Sequence, residues 1–542
     1  MGSKVAVAVA GALAVALLGC SQPGPVRDPS LFGTPQPSAD ATVASTPKPT
    51  ASAPPTPTAA PSPISPDRPR LPIPAVEVPG LVAPPPGSGA ARYQQQPVDW
   101  RRCTLGQREF ECARVLAPLD AERPDDRAVT LQLLKVPATR EPRLGTIFVN
   151  PGGPGEGGTA LATNFRRKGL EQFDIVGWDP RGTGRSTPVR CADPAATDAY
   201  LAADGSPDDE AERAAYRQQT LDFTRACLDG SGELLQHVST IDTVRDLDLL
   251  RGLVGEQKLN YFGYSYGTAI GSRYAQLYPD RVGAMGLDGA VNVTDDQSVV
   301  QAMGFDRALT AFADWCAADG CSLGRDRAAV LASVTSLFDR ADAAAIPTNS
   351  ARSLTQSKAV TGVVSLLYRN RSGWPDLLAA VEQARAGDGT ALLALADAYD
   401  GRSRTGAYQG RVYAFGAVRC LDRADQGFAG ADARAAREAQ QAPVFGRYFG
   451  PDYLCPSWPV PPRPPAGPVA APGVTGILVI GTTGDSATPY EYAPRMAREI
   501  GSARLLTYSG EGHAAYGGKS QCVDDAVVRL FTSGPPAEDL TC

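Results

Sequence analysis

Ser265 stands between two glycines in Gly263-Tyr264-Ser265-Tyr266-Gly267, directly after the short run Lys258-Leu259-Asn260-Tyr261-Phe262. A strand that stops and turns at once into a helix strains the serine and exposes its hydroxyl; the residues two before and two after it crowd each other, so glycine fits. The flanks agree, with 258–262 reading as a buried strand and 268–278 as a helix stopped by Pro279. A serine hydroxyl is a weak nucleophile at neutral pH and needs a general base within hydrogen-bond reach, usually an imidazole. The chain holds two histidines. His513 lies in Gly510-Glu511-Gly512-His513, a glycine-rich loop after an apolar strand; His237 lies ahead of the nucleophile, before a charged helix. The base in turn needs a carboxylate to orient it and to stabilise its charged form. Asp485, in Gly481-Thr482-Thr483-Gly484-Asp485-Ser486-Ala487-Thr488-Pro489 after the apolar 477–480, fits best. Asp288, in Leu287-Asp288-Gly289, competes for that role but suits a structural carboxylate bonding nearby amides.

These groups must be carried by something. Strand-like runs at 111–116, 128–136, 145–150, 173–178, 259–264, 284–287, 476–480 and 504–508 alternate with helical segments. The first two read as an antiparallel hairpin and the others as parallel strands separated by helices. That order predicts an α/β class chain with the α/β-hydrolase fold: an eight-stranded, mostly parallel sheet with helices on both faces. In that fold the order along the chain is nucleophile, acid, histidine, which favours His513 over His237. A tetrahedral intermediate also needs two amide donors. The expected pair is Tyr266, after the nucleophile, and Gly153, in the small-residue turn Asn150-Pro151-Gly152-Gly153-Pro154-Gly155. Between 292 and 473 the pattern becomes helical and then proline-rich, which predicts a large helical cap inserted after the sixth strand and closing over the nucleophile. The hydrolase core is then expected as two parts, 93–291 and 474–542.

The beginning of the chain points to export. Lys4, the apolar Val5 to Leu18 and the small-residue site Leu17-Leu18-Gly19-Cys20 read as a lipoprotein signal peptide over 1–19, with Cys20 the lipidated residue. From 20 to 92 the Pro, Ala, Ser and Thr content reads as a tether that cannot bury a core. Ten cysteines remain beside Cys20, an even number that suits disulfides in an exported chain. Sequence does not fix their connectivity; pairing of neighbours would join 103 with 112, 191 with 227, 316 with 321, 420 with 455 and 522 with 542. Two histidines and no close Cys-x-x-Cys spacing argue against a metal site, and no cofactor is expected. A net charge of -6 with mixed signs gives no footprint for nucleic acid.

Taken together, 150–155, Gly177-Trp178-Asp179-Pro180-Arg181-Gly182-Thr183-Gly184-Arg185-Ser186, Gly263-Tyr264-Ser265-Tyr266-Gly267-Thr268, 485–489 and Gly512-His513 resemble the actinobacterial tripeptidyl aminopeptidase group, relatives of prolyl aminopeptidases that include mycobacterial cell-envelope proteases. The resemblance implies an exported exopeptidase that removes short peptides from free N-termini and acts on peptide or protein substrates; the leader pattern would hold it at the outer face of the cell membrane or cell envelope through Cys20. Asp179 and Arg181 would brace a loop beside the site. Glu156 departs from the small residue usual at its position and is a candidate to bind a substrate ammonium. A carboxylesterase or lipase would use the same triad. A binding lipoprotein on the same scaffold is disfavoured, since every catalytic position is filled.

Overall fold

A computed structural model describes residues 80–105, 107–294 and 297–542. Cys20, the leader and the tether up to residue 79 lie outside the described residues. Eleven strands form one sheet: β1 Leu81–Val82, β2 Arg101–Leu105, β3 Arg108–Pro118, β4 Ala128–Val136, β5 Gly145–Asn150, β6 Phe173–Asp179, β7 Leu259–Tyr264, β8 Val282–Asp288, β9 Ile477–Gly484, β10 Arg504–Glu511 and β11 Leu540–Thr541. The spatial order is β11-β10-β9-β8-β7-β5-β6-β4-β3-β2, with β1 antiparallel on β4. From β6 through β5 and β7 to β11 every neighbouring pair is parallel, and β2, β3, β4 and β6 pair antiparallel. All six residues of β5 and the first six of β9 are buried, as central parallel strands covered on both faces require.

β3 to β10 are the eight strands expected. The other three are edge elements with little local signal: β1 and β11 are two residues each, and β2 begins with two arginines. β2 is stapled to β3 by Cys103–Cys112. The remaining disulfides join Cys191–Cys227, Cys316–Cys321, Cys420–Cys455 and Cys522–Cys542, so all five pair sequence neighbours.

Two boundaries differ from expectation. Residues 80–92 belong to the folded domain and not to a tether: β1 pairs with β4, the Gly80 carbonyl accepts from Thr187 Oγ1 at 2.7 Å, and the adjoining Tyr93 is buried with its hydroxyl on the Pro124 carbonyl. The helical insertion is also not one body. Helices Gln301–Ala318, Arg327–Ala343, Gln356–Leu367, Trp374–Arg385 and Thr390–Asp400 share a core of their own, with Phe305, Phe312, Phe338, Val363 and Trp374 at its centre. Helix Arg411–Asp422 and the proline-rich segment after it return to the hydrolase core, where Val418, Leu421, Trp458 and Val460 join the cluster of Leu247, Tyr261 and Ile270. No helix among the described residues is long and apolar enough to cross a membrane.

Candidate active site

Ser265 sits at the junction of β7 and helix Tyr266–Leu277 with φ 54°. It and Ala514, φ 59°, are the non-glycine residues with positive φ among those described, and both belong to this site. The elbow is as crowded as its spacing implies: a Cβ on Gly263 would lie 2.5 Å from the Gly267 carbonyl oxygen, and one on Gly267 would lie 2.9 Å from that of Asn150. The turn after β5 runs against the elbow from the other side. A Cβ on Gly152 would stand 2.9 Å from both Ser265 Cβ and Tyr266 N. The Gly152 N–H is already given to Asn150 Oδ1 at 2.9 Å.

The loop that holds His513 follows β10. His513 Nδ1 lies 2.9 and 3.0 Å from the two carboxylate oxygens of Asp485, so Nδ1 carries the proton it donates and Nε2 is left as the acceptor. Asp485 is buried and also accepts the amides of Ala487, Thr488 and Ala514 at 2.8 to 3.0 Å. Thr488 Oγ1 is 3.2 Å from His513 Nδ1. Burial would push the His513 ring down, but the Asp485 charge and hydrogen bond outweigh it and hold the imidazole above its ordinary value. Burial would likewise raise Asp485; the facing imidazole and the donated amides prevail, and its carboxyl sits below the usual range.

Asp288 is not the orienting acid. Its carbonyl accepts the Ser265 N–H at 2.9 Å, and its carboxylate accepts the amides of Ala515 and Tyr516. It therefore ties the elbow to the base loop, and burial, only partly offset by those amides, pushes its carboxyl up to about 6. The next residue, Gly289, brings the two halves together: a Cβ there would meet His513 Cε1 at 3.1 Å. Lys519 Nζ completes the loop, donating to the carbonyls of His513 and Ala514.

The cap supplies residues that no local pattern announced. The Tyr368 carbonyl accepts the His513 N–H at 2.9 Å, and its ring meets the imidazole edge-on with centroids 5.4 Å apart. Tyr368 and Tyr399 share a hydroxyl hydrogen bond at 3.1 Å. On the other flank, the Tyr266 hydroxyl bonds Thr240 Oγ1, which donates to Asp422 Oδ2; the Thr240 N–H donates to Asp422 Oδ1 at 3.0 Å. Burial pushes the Asp422 carboxyl up to about 7.

Glu156 has a different place from the one expected. Its carboxylate is paired with Arg411 at the start of helix Arg411–Asp422, so it is neutralised within the protein and is not a free counter-charge for a substrate ammonium. Asp179 and Arg181 are structural. Asp179 accepts from Thr159 and the Arg185 N–H. Buried Arg181 forms a two-pronged pair with Asp246 and reaches the carbonyls of Pro118, Leu119 and His237. That region holds His237, whose imidazole burial pushes down.

Comparison with known proteins agrees with this architecture. Residues 442–542 match the family described as TAP-like protein. The chain is 34% identical over 472 residues to the serine protease Hip1 of Mycobacterium tuberculosis, spanning 82% of this chain and 90% of that protein. It is 35% identical over 505 residues to carboxylesterase B of the same organism, spanning 87% and 95%. To the tripeptidyl aminopeptidase of Streptomyces coelicolor it is 31% identical over 477 residues, spanning 84% and 87%. On this similarity the chain belongs to the TAP-like family of α/β-hydrolase enzymes.

Proposed function

We propose that the protein is an exported serine exopeptidase that releases short peptides from free N-termini through an acyl-enzyme. The observation that carries the reading is the His513–Asp485 pair, with Nε2 left free, on a loop that Asp288 ties to the Ser265 elbow. Ser265 Oγ attacks the scissile carbonyl as His513 Nε2 takes its proton, and Asp485 stabilises the imidazolium that forms. Charge develops on the carbonyl oxygen and is met by the N–H groups of Tyr266 and Gly153. Tyr266 is the first residue of its helix, where amides lack intrahelical partners and the dipole favours an anion. Gly153 follows the glycine whose own amide Asn150 has taken. Collapse expels the amine with the proton from His513, and water, activated by the same imidazole, releases the peptide.

The relatives named serine protease and tripeptidyl aminopeptidase support peptide substrates. A second reading, hydrolysis of carboxylic esters, is favoured by the relative named carboxylesterase B, and the same triad would serve it. Export and anchoring through Cys20 rest on the leader pattern, and the five disulfides support an oxidising compartment.

The test is hydrolysis of matched tripeptide anilides and esters, each with a free and an acetylated N-terminus, with products identified by mass. The reading predicts release of intact tripeptide from the free-terminus anilide and little from the acetylated one. Cleavage of esters alone would replace it with the second reading.

A further inference from the structure

The turn bearing Gly153 is gripped from two sides. Gly152 presses on the elbow, while Gly155 presses on helix Arg411–Asp422: a Cβ there would lie 2.7 Å from the Arg411 carbonyl oxygen and 3.1 Å from the Phe415 N. Glu156, the residue that leaves this turn, is the partner of the Arg411 side chain. A cation at a helix N-terminus is disfavoured by the dipole, so Arg411 is badly placed for its own helix and well placed only for what it holds. Its guanidinium also lies over the Tyr399 ring at 5.2 Å, and Tyr399 bonds Tyr368, which receives the His513 N–H. One line of contacts therefore runs from His513 to the turn bearing Gly153.

We propose that Arg411 is a positioning residue for acyl transfer: by pairing with Glu156 and seating helix Arg411–Asp422 on Gly155, it sets where the Gly153 amide points. This rests on the reaction proposed above and adds to it a residue that touches no substrate. Arg411 and Glu156 are 26% and 33% exposed, so the pair adds little to stability. Its effect should therefore appear in catalysis and not in melting.

Arg411→Met, Arg411→Lys, Glu156→Gln and the double variant Glu156→Gln/Arg411→Met should be compared in the full chain on a free-terminus tripeptide anilide, with Ser265→Ala alongside. Deleting an oxyanion donor outright costs about 10² to 10³ in kcat, so a mispointed one should cost about tenfold. Arg411→Met should lower kcat by that factor with KM within about twofold, and weaken inhibition by a peptidyl boronic acid by the same factor, because only transition-state binding is lost. Arg411→Lys should recover part of the loss, and the double variant should be no worse than Arg411→Met. Wild-type kcat in Arg411→Met, a change confined to KM, or additive losses in the double variant would each overturn the positioning role. Turnover retained by Ser265→Ala would instead overturn the underlying reaction, and the proposal with it.

Discussion

The Ser265 N–H donates to the Asp288 carbonyl at 2.9 Å, while the carboxylate of that same aspartate holds the amides of Ala515 and Tyr516. One residue at the end of β8 thus fixes the Ser265 turn through its backbone and the His513 loop through its side chain. Asp288→Ala should leave two buried amides unpaired, at about 1–3 kcal/mol each. Urea unfolding should show that loss, and kcat/KM should fall more than in a surface control, because His513 is two residues from Ala515.

The ion pair predicts opposite pH trends for stability and activity. The His513 imidazole is held above its ordinary value, so its stabilising contribution is complete below the unfolded value and is lost as pH rises through the folded one. Asp485 is held below its ordinary range, so its contribution is present above that range and is lost as pH falls through the depressed value. The melting temperature of Ser265→Ala should therefore hold at weakly acidic pH and decline as His513 deprotonates. Wild-type kcat/KM should rise over that same interval, since only neutral imidazole accepts the serine proton. Asp485→Asn should shift the acid limb to lower pH and cut kcat by on the order of 10⁴.

Thr240 joins the Tyr266 hydroxyl to buried Asp422, the last residue of helix Arg411–Asp422. Thr240→Val should cost about 1–3 kcal/mol by leaving the Tyr266 hydroxyl without its partner, read as a lower urea midpoint. Because the Asp422 carboxyl is raised to about 7, its contribution is present below the ordinary carboxylate range and lost as pH climbs through about 7. Asp422→Asn should flatten the melting profile over that interval.

The N-terminal boundary is testable by truncation. A chain beginning at Gly80 should keep wild-type turnover in solution. One beginning at Gln94 loses β1 and the buried ring of Tyr93, and should be less stable by about 1.5–3 kcal/mol on denaturant titration.

Where function depends on local geometry, the sequence was readable. The elbow glycines, the apolar runs of β5, β7 and β9, and the loops that follow β9 and β10 are signals within a few residues, and they lead to Ser265, Asp485 and His513. What could not be read depends on distant chain segments meeting. Glu156 and Arg411 are 255 positions apart, and nothing near either announces the other. The same holds for Tyr368 over His513 and for Asp422 beneath Thr240. Thr488 is an intermediate case, since a threonine three residues after a loop aspartate is a recognisable turn pattern, but its reach to the imidazole is set by the fold. β1 escaped because Leu81–Val82 is two residues long in a proline-rich stretch, and only pairing with β4 gives it a place in the sheet.

The central claim is that Ser265, activated by His513, forms the covalent intermediate. Treating the intact protein with a fluorophosphonate and mapping the adduct by peptide mass spectrometry tests it most directly. A single adduct on Ser265, absent in Ser265→Ala and formed orders of magnitude more slowly in His513→Ala, is the predicted result. An adduct on another residue, or undiminished labelling in Ser265→Ala, would contradict it.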